Sequence, residues 1–473
     1  MNSGFRAASS GRSTALGVGP LATLLAMSPD VSPDDLILVS VDDHCVEPPD
    51  LFEGRLPAKW ADRAPRVEHK DDGTDVWLFE GQEIPNIGLN AVAGRPPEEY
   101  GVDPTSFAEI RQGTYDIHKR VEDMNAGGVL GSLNFPSFPQ FCGQVFTKAD
   151  DPELGLAVLQ AYNDWHVEDW CGAYPGRFIP LGVLPFWDPE LMAAEVRRLA
   201  AKGCHAVTFS ENPEKLGQPS FHNPHWDPFW KACADEGTVI CLHLGSSSEV
   251  TITSLEAPIT TMITLQPVGL LNAAADLMWS RVPREFPVTI ALSEGGIGWV
   301  PYLLERADYV FEHHRTWTGS DFGGKRPSDI FREHFLACFI DDAAGIAMRD
   351  RIGVENICWE HDYPHSDSTW PTAPESLAKA LGGVQQAEVD LMTHGNACRA
   401  FQFDPFAHRP REACTAAALR AEAAHVDTTP VASGRPFEPP AEPVSLMSLL
   451  EKAQKILDAA SGSKPPTDPP PDQ

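Results

Sequence analysis

The sequence lacks the features of three protein classes. No apolar run approaches the roughly 18 residues that span a bilayer. The ten cysteines form no C-x-x-C pair, and Cys241 and Cys358 lie inside apolar runs, which favours reduced thiols over a disulfide framework. Only 36 Lys and Arg stand against 67 Asp and Glu, giving a net charge of −31 without a basic footprint for nucleic acid or an anionic membrane. The composition therefore predicts a cytoplasmic protein that binds neither nucleic acid nor a membrane.

The two ends of the chain carry little core-forming pattern. Residues 1–34 are predicted to be a disordered leader, because Gly17, Gly19 and Pro20 interrupt its apolar stretch. Residues 411–473 are predicted to form a linker, an amphipathic helix over 444–460 and a Pro-rich tail. That helix could clasp a second subunit or pack on its own domain, and the pattern does not separate the two.

Between these ends, eight apolar runs alternate with helical patterns. One such helix is predicted over Leu191–Lys202, closed by Gly203. The predicted strands are Leu36–Val41, Val129–Phe135, Phe178–Pro185, Ala206–Ser210, Val239–His243, Val288–Ser293, Leu336–Ile340 and Asn356–Trp359. Eight alternating units predict an α/β fold, a (β/α)₈ TIM barrel over residues 35–410.

An open doubly wound sheet is the alternative architecture, but no glycine follows Val41 to form its phosphate-binding turn. A long β1–α1 insertion is predicted over about residues 49–117, with a small hairpin around Val76–Phe79. With the extension at 411–473, the chain is interpreted as one catalytic domain with additions.

Ionisable side chains gather where three of the predicted strands end. Asp42 and His44 close the first strand and share one face, and His243 closes the fifth. The run after Trp359 ends in the cluster Glu360-His361-Asp362-Tyr363-Pro364-His365. Carboxylate and imidazole ligands suit Zn²⁺, Mn²⁺ or Fe²⁺, and barrel chemistry sits at the carboxyl ends of strands. The pattern therefore predicts a catalytic metal site.

These residues resemble the amidohydrolase superfamily, specifically the amidohydrolase-related group (amidohydrolase family 2) of aminocarboxymuconate semialdehyde and gamma-resorcylate decarboxylases. The resemblance rests on a set of segments: Asp42-Asp43-His44 with Glu47-Pro48, Lys119 to Gly128, His243, Gly295-Gly296 and Asp362 to His365. It implies a barrel with one divalent metal ion that performs C–C cleavage or hydrolysis on small carboxylated or phenolic substrates. It also implies a homodimer.

Carried across by position, the resemblance makes Asp42, His44, His243 and Asp362 the ligands of one cation, with zinc or manganese expected. Asp42 replaces the leading histidine common in the wider superfamily, as an acidic residue does in decarboxylases of the resorcylate kind. The sixth strand ends in Ser293-Glu294 where the family usually has a histidine.

The expected catalytic residues are Asp362, Glu294 and His243. Four further residues are candidates for substrate binding: Arg95, Arg306, Trp299 and His365. Arginine would pair with a substrate carboxylate, whereas the alternative for each is an ordinary ion pair.

Three functions follow. The favoured one is a metal-dependent carboxy-lyase, a non-oxidative decarboxylase acting on a small aromatic or muconate-like acid. The second is a metal-dependent hydrolase of a lactone, ester or amide, with Asp362 as general base. The third, from another class, is a barrel that lost catalysis with the sixth-strand histidine and now binds a small molecule or a partner chain.

Overall fold

The computed structural model describes residues 31–85, 87–101, 103–434, 437 and 439–451. Within them, strands and helices alternate along most of the chain. The strands are β1 (Val39–His44), β2 (Arg66–His69), β3 (Asp75–Phe79), β4 (Gln82–Ile84), β5 (Gly131–Phe135), β6 (Phe178–Ile179), β7 (Ala206–Phe209), β8 (Val239–His243), β9 (Thr289–Ser293), β10 (Phe335–Phe339) and β11 (Ile357–Trp359).

The α-helices lie between these strands and after the last one. They are α1 (Ile117–Ala126), α2 (Pro152–Asp164), α3 (Pro189–Ala200), α4 (Asp227–Glu236), α5 (Ile259–Leu265), α6 (Val268–Trp279), α7 (Val282–Glu285), α8 (Val300–Thr318), α9 (Pro327–His334), α10 (Ala343–Ala347), α11 (Arg349–Ile352), α12 (Ala373–Ala380), α13 (Gln386–Asp390), α14 (Asn396–Ala400) and α15 (Ala416–Glu422). No helix of the described chain is long and apolar enough to cross a membrane.

Local sequence explains where several helices begin. Asp116, Asp151 and Asp188 each precede a helix, and their carboxylates accept hydrogen bonds from the free N–H groups of the first turn. A proline follows two of these aspartates, at the position where a missing N–H costs nothing. These caps fix the entry of the chain into α1, α2 and α3.

The eight predicted strands are present in two parallel sheets. One sheet has the order β1-β5-β6, and the other has the order β11-β10-β9-β8-β7. Hydrogen bonds join the sheets at both ends: Gly182 exchanges backbone bonds with Ala206 (2.9 Å) and Thr208 (3.0 Å), and the Asp42 carbonyl accepts from Asp362 N (2.7 Å). One core cluster contains side chains from both sheets, including Val39, Leu133, Cys241 and Cys338. The fold is thus α/β with eight parallel strands.

The third predicted strand is shorter than expected. It was predicted over Phe178–Pro185, but β6 covers only Phe178–Ile179, after which Gly182 alone bridges Val207. Pro180 and Pro185 lack the N–H that a ladder requires, which limits the pairing. Gly182 is required at the bridge, since a Cβ there would lie 2.3 Å from Leu199 Cδ1.

The insertion and the segment after residue 410 also differ from the expectation. The predicted hairpin is a three-stranded antiparallel sheet, β2-β3-β4. Residues 411–423, predicted to belong to the extension beyond the barrel, pack on the domain: Cys414 and Leu419 are buried, and Ala416 N donates to Leu36 O (2.8 Å). Residues 1–30 of the predicted leader, and 452–473 with most of the predicted C-terminal helix and the tail, lie outside the described residues.

Candidate functional site

The first strand delivers two side chains to its carboxyl end. Asp42 and His44 are both buried, and His44 Nε2 lies 3.5 Å from Asp42 Oδ1. Asp43 points away from these two side chains, and its carboxylate accepts hydrogen bonds from the Ser132 hydroxyl and from Tyr363 N. Asp42 and His44 therefore face a common site, as their alternation predicts, while Asp43 binds neighbouring elements of the fold.

The last residue of β8 completes a cluster with them. His243 Nε2 lies 3.4 Å from Asp42 Oδ2 and 3.3 Å from His44 Nε2. Its Nδ1 lies 2.6 Å from the Leu244 carbonyl, an acceptor that only Nδ1–H can bond. This bond leaves the Nε2 lone pair directed at the cluster, which is the arrangement of a metal-ligating histidine.

The segment after β11 contributes from the opposite side. Asp362 has φ of 55°, an uncommon value for a non-glycine residue that directs its carboxylate at the site. Its Oδ1 lies 3.2 Å from His44 Nε2 and 2.8 Å from His365 Nδ1. The His365 ring also stacks on His44, with ring centres 3.8 Å apart. The sequence-predicted Asp42, His44, His243, Asp362 and His365 are thus together.

The donor set fits a cation. Neither carboxylate oxygen of the buried Asp42 accepts a hydrogen bond from the described residues. Burial, followed by the charges of Glu360, Asp362 and Glu294, raises the pKa of Asp42 well above its ordinary value. A buried carboxylate without a partner is costly, and a cation between Asp42, His44 and His243 would relieve that cost. His44, Asp362 and His365 form a second set of three donors around the same imidazole.

The histidines are in the form that binds metal. Burial lowers the pKa of His243 to about 4, and burial with the neighbouring His365 lowers that of His44 well below its usual range. Both rings are therefore neutral near pH 7. Burial alone would raise the pKa of Asp362, but His365 and His44 hold it below the ordinary value, so this carboxylate is ionised.

Glu294 occupies the space left by the missing sixth-strand histidine. Its Oε2 lies 3.3 Å from His243 Nε2, while its backbone N–H donates to Glu360 Oε2 (3.0 Å). Ser293 pairs in register with His243, and its buried hydroxyl has no partner among the described residues. Burial and the charges of Asp362, Asp367 and Glu360 raise the pKa of Glu294 well above its usual value. Glu294 therefore holds a proton more tightly than an exposed glutamate does, and it lies beside the cluster.

A cavity of about 190 Å³ opens over the cluster. His44 and His365 form its polar floor, and the insertion contributes Ile84 and Leu89 to its walls. The loop after β5 contributes Phe138 and Phe141, and the Phe141 ring stacks on His243 at 4.2 Å. No Lys or Arg of the described chain lines this cavity.

Comparison with known proteins gives the family. A family model described as Amidohydrolase matches residues 112–403, more than half of the chain. This chain belongs to the amidohydrolase family. The resemblance drawn from the sequence is confirmed, and the protein is a metal-dependent enzyme, so a non-catalytic barrel is not carried further. The match begins after β1, so Asp42 and His44 of this amidohydrolase are identified by position and geometry alone.

Solved structures support the fold of this amidohydrolase. An amidohydrolase from Mycobacterium avium subsp. paratuberculosis has a TM-score of 0.60 at 18% identity, covering 77% of this chain and 97% of its own. A 5-carboxyvanillate decarboxylase from Sphingomonas paucimobilis has 0.54 at 20%, covering 78% and 100%. An IDCase from Metarhizium anisopliae has 0.55 at 18%, covering 79% and 99%. At these identities the likeness concerns the fold.

Three predicted substrate-binding residues lie away from the cavity of the amidohydrolase. Arg95 donates to the carbonyls of Val431 (3.1 Å) and Glu109, joining the insertion to the C-terminal segment. Arg306 is exposed on α8 and stacks over Tyr309, 5.2 Å from the ring centre. Trp299 donates from Nε1 to Gly295 O (2.8 Å) and does not line the cavity. Arg95 Nη1 also lies 3.9 Å from Glu99 Oε2, so Arg95 follows the ion-pair alternative, whereas Arg306 contacts an aromatic ring at the surface.

Two residues at the site were missed in the sequence. Phe141 carries no signal there, since an aromatic residue in a loop is common. Arg120 lies in the Lys119 to Gly128 segment of the family resemblance, and it is fully buried. Its Nη2 donates to the His44 carbonyl (2.5 Å), and its guanidinium lies 4.4 Å from the centre of the Tyr363 ring. Arg120 therefore connects the two segments that carry His44 and Asp362.

Proposed function

We propose that this enzyme is a carboxy-lyase that removes CO₂ from a small aromatic acid, with Asp42, His44, His243 and Asp362 holding one divalent cation. The observation that carries the proposal is the carboxyl of Glu294, whose Oε2 lies 3.3 Å from His243 Nε2 in the cluster over which an aromatic-walled cavity opens. Decarboxylation needs a proton donor for the carbon that loses CO₂, and a carboxyl group whose pKa is raised by burial and by neighbouring carboxylates is suited to that role. The decarboxylases named among the solved structures agree with this choice.

The barrel belongs to the same proposal. We infer that the two parallel sheets close into a (β/α)₈ barrel, supported by the hydrogen bonds at Gly182 and at Asp42. In such barrels the reacting groups come from the carboxyl ends of several strands. Asp42, His243 and Glu294 each stand at or just after such a strand end.

The bound cation and Glu294 have separate roles in the proposed reaction. When bound, a divalent cation supplies a Lewis acid for substrate oxygens. The proton moves from Glu294 to the ring carbon that carries the carboxylate. The bond from that carbon to the carboxylate then breaks, its electron pair returns to the ring, and CO₂ leaves. The Glu294 carboxylate regains its proton from solvent.

The cavity supports an aromatic over a muconate-like substrate. A cavity near 150 Å³ can hold a benzene ring, so about 190 Å³ fits one ring with small substituents. Phe138, Phe141 and Leu89 offer apolar walls for its faces. With no Lys or Arg among the described lining residues, a single carboxylate at the cation site is the charge that the cavity accommodates.

A hydrolase of a lactone, ester or amide is the second candidate, and one observation favours it. Asp362 is ionised and lies 3.2 Å from His44 Nε2, so its carboxylate can act as general base. The same donor set serves both candidates, and they differ in whether Glu294 donates a proton or Asp362 accepts one.

The cation is proposed to be zinc or manganese. Two carboxylates and two imidazoles suit either ion, because both accept mixed oxygen and nitrogen ligands. A cytoplasmic location is also proposed, supported by ten unpaired cysteines of which only Cys398 is not fully buried. We propose a homodimer as the family resemblance implies.

The test is CO₂ release from hydroxybenzoates and muconate-like acids by protein loaded with Zn²⁺ or Mn²⁺, run beside lactone, ester and amide hydrolysis. We expect CO₂ from at least one aromatic acid, lost on chelation and reduced about 100-fold or more in Glu294→Gln. Hydrolysis without CO₂ from any acid, abolished in Asp362→Asn and retained in Glu294→Gln, would replace the lyase with the hydrolase.

A further inference from the structure

Exposed apolar side chains are concentrated in two stretches of the chain. Of the large hydrophobic residues exposed in the described structure, nearly half lie in residues 250–265 and 443–451. They are Val250, Ile252, Leu255, Ile263, Met447, Leu449 and Leu450, between 37 and 52% exposed. Monomeric proteins rarely leave such groups together, and a contiguous apolar patch marks an interaction site.

The two stretches form one unit, which we call the arm. Pro258 and Ser445 make an antiparallel bridge. Ile259 N donates to Val444 O (2.7 Å), and Met447 N donates to Leu255 O (2.8 Å). Helix α5, within the arm, has no buried residue. The arm is therefore held together by backbone hydrogen bonds, while the seven side chains named above remain more than one third exposed in the described structure.

The arm is also nearly free of charge. Glu256 and Glu451 are its charged residues, in a chain of net charge −31. Two copies of so acidic a protein repel each other across most of their surfaces. An uncharged apolar face is where they can meet with the least repulsion and the largest gain from burial.

We propose that the arm pairs with the arm of a second copy of this chain, forming the contact of a homodimer. A two-fold interface places the same patch on both subunits, so a self-complementary apolar surface is suited to it. Ile263 and Leu450 have the most exposed apolar side chains in the two halves of the arm, and such a contact would bury both.

The remaining sequence offers poorer occupants. Residues 452–473 continue directly from the arm, but they contain only Ile456 and Leu457 as large aliphatic residues, followed by five prolines. Residues 1–30 precede the amino end of β1, whereas the arm follows the carboxyl end of β8. Residues 452–473 thus fall short of the arm in apolar content, and residues 1–30 join the domain at the opposite end of its parallel strands, so a second arm is the better match.

The experiment is sedimentation velocity on the full chain over a range of concentrations. We expect a dimer for the parent and at least about a tenfold weaker dimer for the double variant Ile263→Glu, Leu450→Glu, since each glutamate would be buried in the contact. The control is Val431→Glu, which places the same charge on an exposed residue outside the arm and should leave the dimer unchanged. Circular dichroism melting checks that each variant is folded.

A milder pair, Ile263→Thr and Leu450→Thr, covers the case in which the glutamate variant does not fold, and it should weaken the dimer in the same direction. A monomeric parent would overturn the proposal, since another part of the chain or another protein would then cover the arm. A dimer of unchanged affinity in a folded arm variant would also overturn it, because the contact would lie elsewhere. Neither outcome depends on the proposed reaction.

Discussion

At the scale of single residues, the argument for a cation depends most on Asp42. Its carboxylate is fully buried, lies near two neutral imidazoles, and accepts no hydrogen bond from the described residues. A buried carboxylate normally has several N–H or O–H donors, as Glu47 has from Ser137 N and Phe138 N. Asp42 lacks the donors that Glu47 has, and we explain this difference by a cation as the partner of Asp42.

Replacing Asp42 by asparagine should therefore remove the metal. The amide keeps the volume of the side chain but loses the charge, so we expect about one equivalent of zinc or manganese in the parent to fall to a small fraction. Elemental analysis by mass spectrometry measures it. His222→Ala is the control, because His222 is exposed and bonds Asp276 far from the site. Full metal content in Asp42→Asn would contradict the ligand assignment.

Charge selection by the cavity is a second prediction at this scale. Gln140 is exposed and lines the cavity, so Gln140→Arg would place a cation at its rim. We expect this variant to bind a benzene dicarboxylate about two- to fivefold more tightly than the parent, as an exposed ion pair permits. Titration calorimetry on metal-loaded protein measures the change.

A matched control exists for that variant. Gln402 is also exposed and has φ of 54°, close to the 59° of Gln140, but it bonds Gly237 at the other end of the strands. Gln402→Arg should leave dicarboxylate binding unchanged. Equal gains in both variants would indicate a general effect of charge on an acidic protein, not a property of the cavity.

At the scale of elements, α1 aligns the segments that carry the site. Arg120 binds the His44 carbonyl and stacks on Tyr363, and Asp123 one turn later accepts from the Tyr363 hydroxyl (2.6 Å). Asp123 also receives two bonds from Arg111, both of 2.8 Å. These contacts fix the backbone beside His44 and Asp362 without touching the cavity.

Arg120→Met should accordingly weaken both folding and metal binding. Loss of the donor leaves the His44 carbonyl unsatisfied, which costs about 1–3 kcal/mol in the free energy of unfolding. Displacement of the ligands should lower metal affinity about 10- to 100-fold. Urea unfolding and a chelator competition measure the two effects. Arg351→Met, at an exposed ion pair with Glu305, should change neither, and a normal affinity in Arg120→Met would contradict the positioning role.

The elements also show what the sequence could reveal. Apolar runs predicted all eight strands of the parallel sheets, and Asp-X-His alternation placed Asp42 and His44 on one side, because both patterns are local. The predicted length of β6 was wrong, because strand pairing also depends on the neighbouring strand. Beyond Ile179, Gly182 alone pairs with that neighbour, at Val207. Arg95 and Arg306 could not be located, because the position of an arginine side chain is set by tertiary contacts that no spacing encodes.

At the scale of the whole molecule, the arm shows the same limit of prediction from sequence. The amphipathic pattern of residues 444–460 indicated an apolar face, but it could not say what that face would meet. The described part of that segment binds a loop between β8 and α6 that is distant in sequence, and the combined surface remains exposed. The proposed dimer contact therefore combines two segments that only folding brings together.

Stability of the whole molecule should depend on pH through Glu47. Burial raises the pKa of this carboxyl from 4.5 to about 7, against the hydrogen bonds from Phe138 N and Ser137 N that lower it. A group with a raised pKa in the folded state holds its proton more tightly there than in the unfolded chain. Its contribution is complete below pH 4.5 and is lost as pH rises towards 7.

The parent should therefore lose about 3 kcal/mol of unfolding free energy relative to Glu47→Gln between pH 4.5 and 7.5. Glutamine keeps the shape of the side chain but cannot ionise, so the difference between the two proteins isolates Glu47 from other titrating groups. Urea unfolding at a series of pH values measures it. A difference that stays constant with pH, or one that favours the parent at higher pH, would show that Glu47 is ionised in the folded protein and that its two N–H donors outweigh its burial.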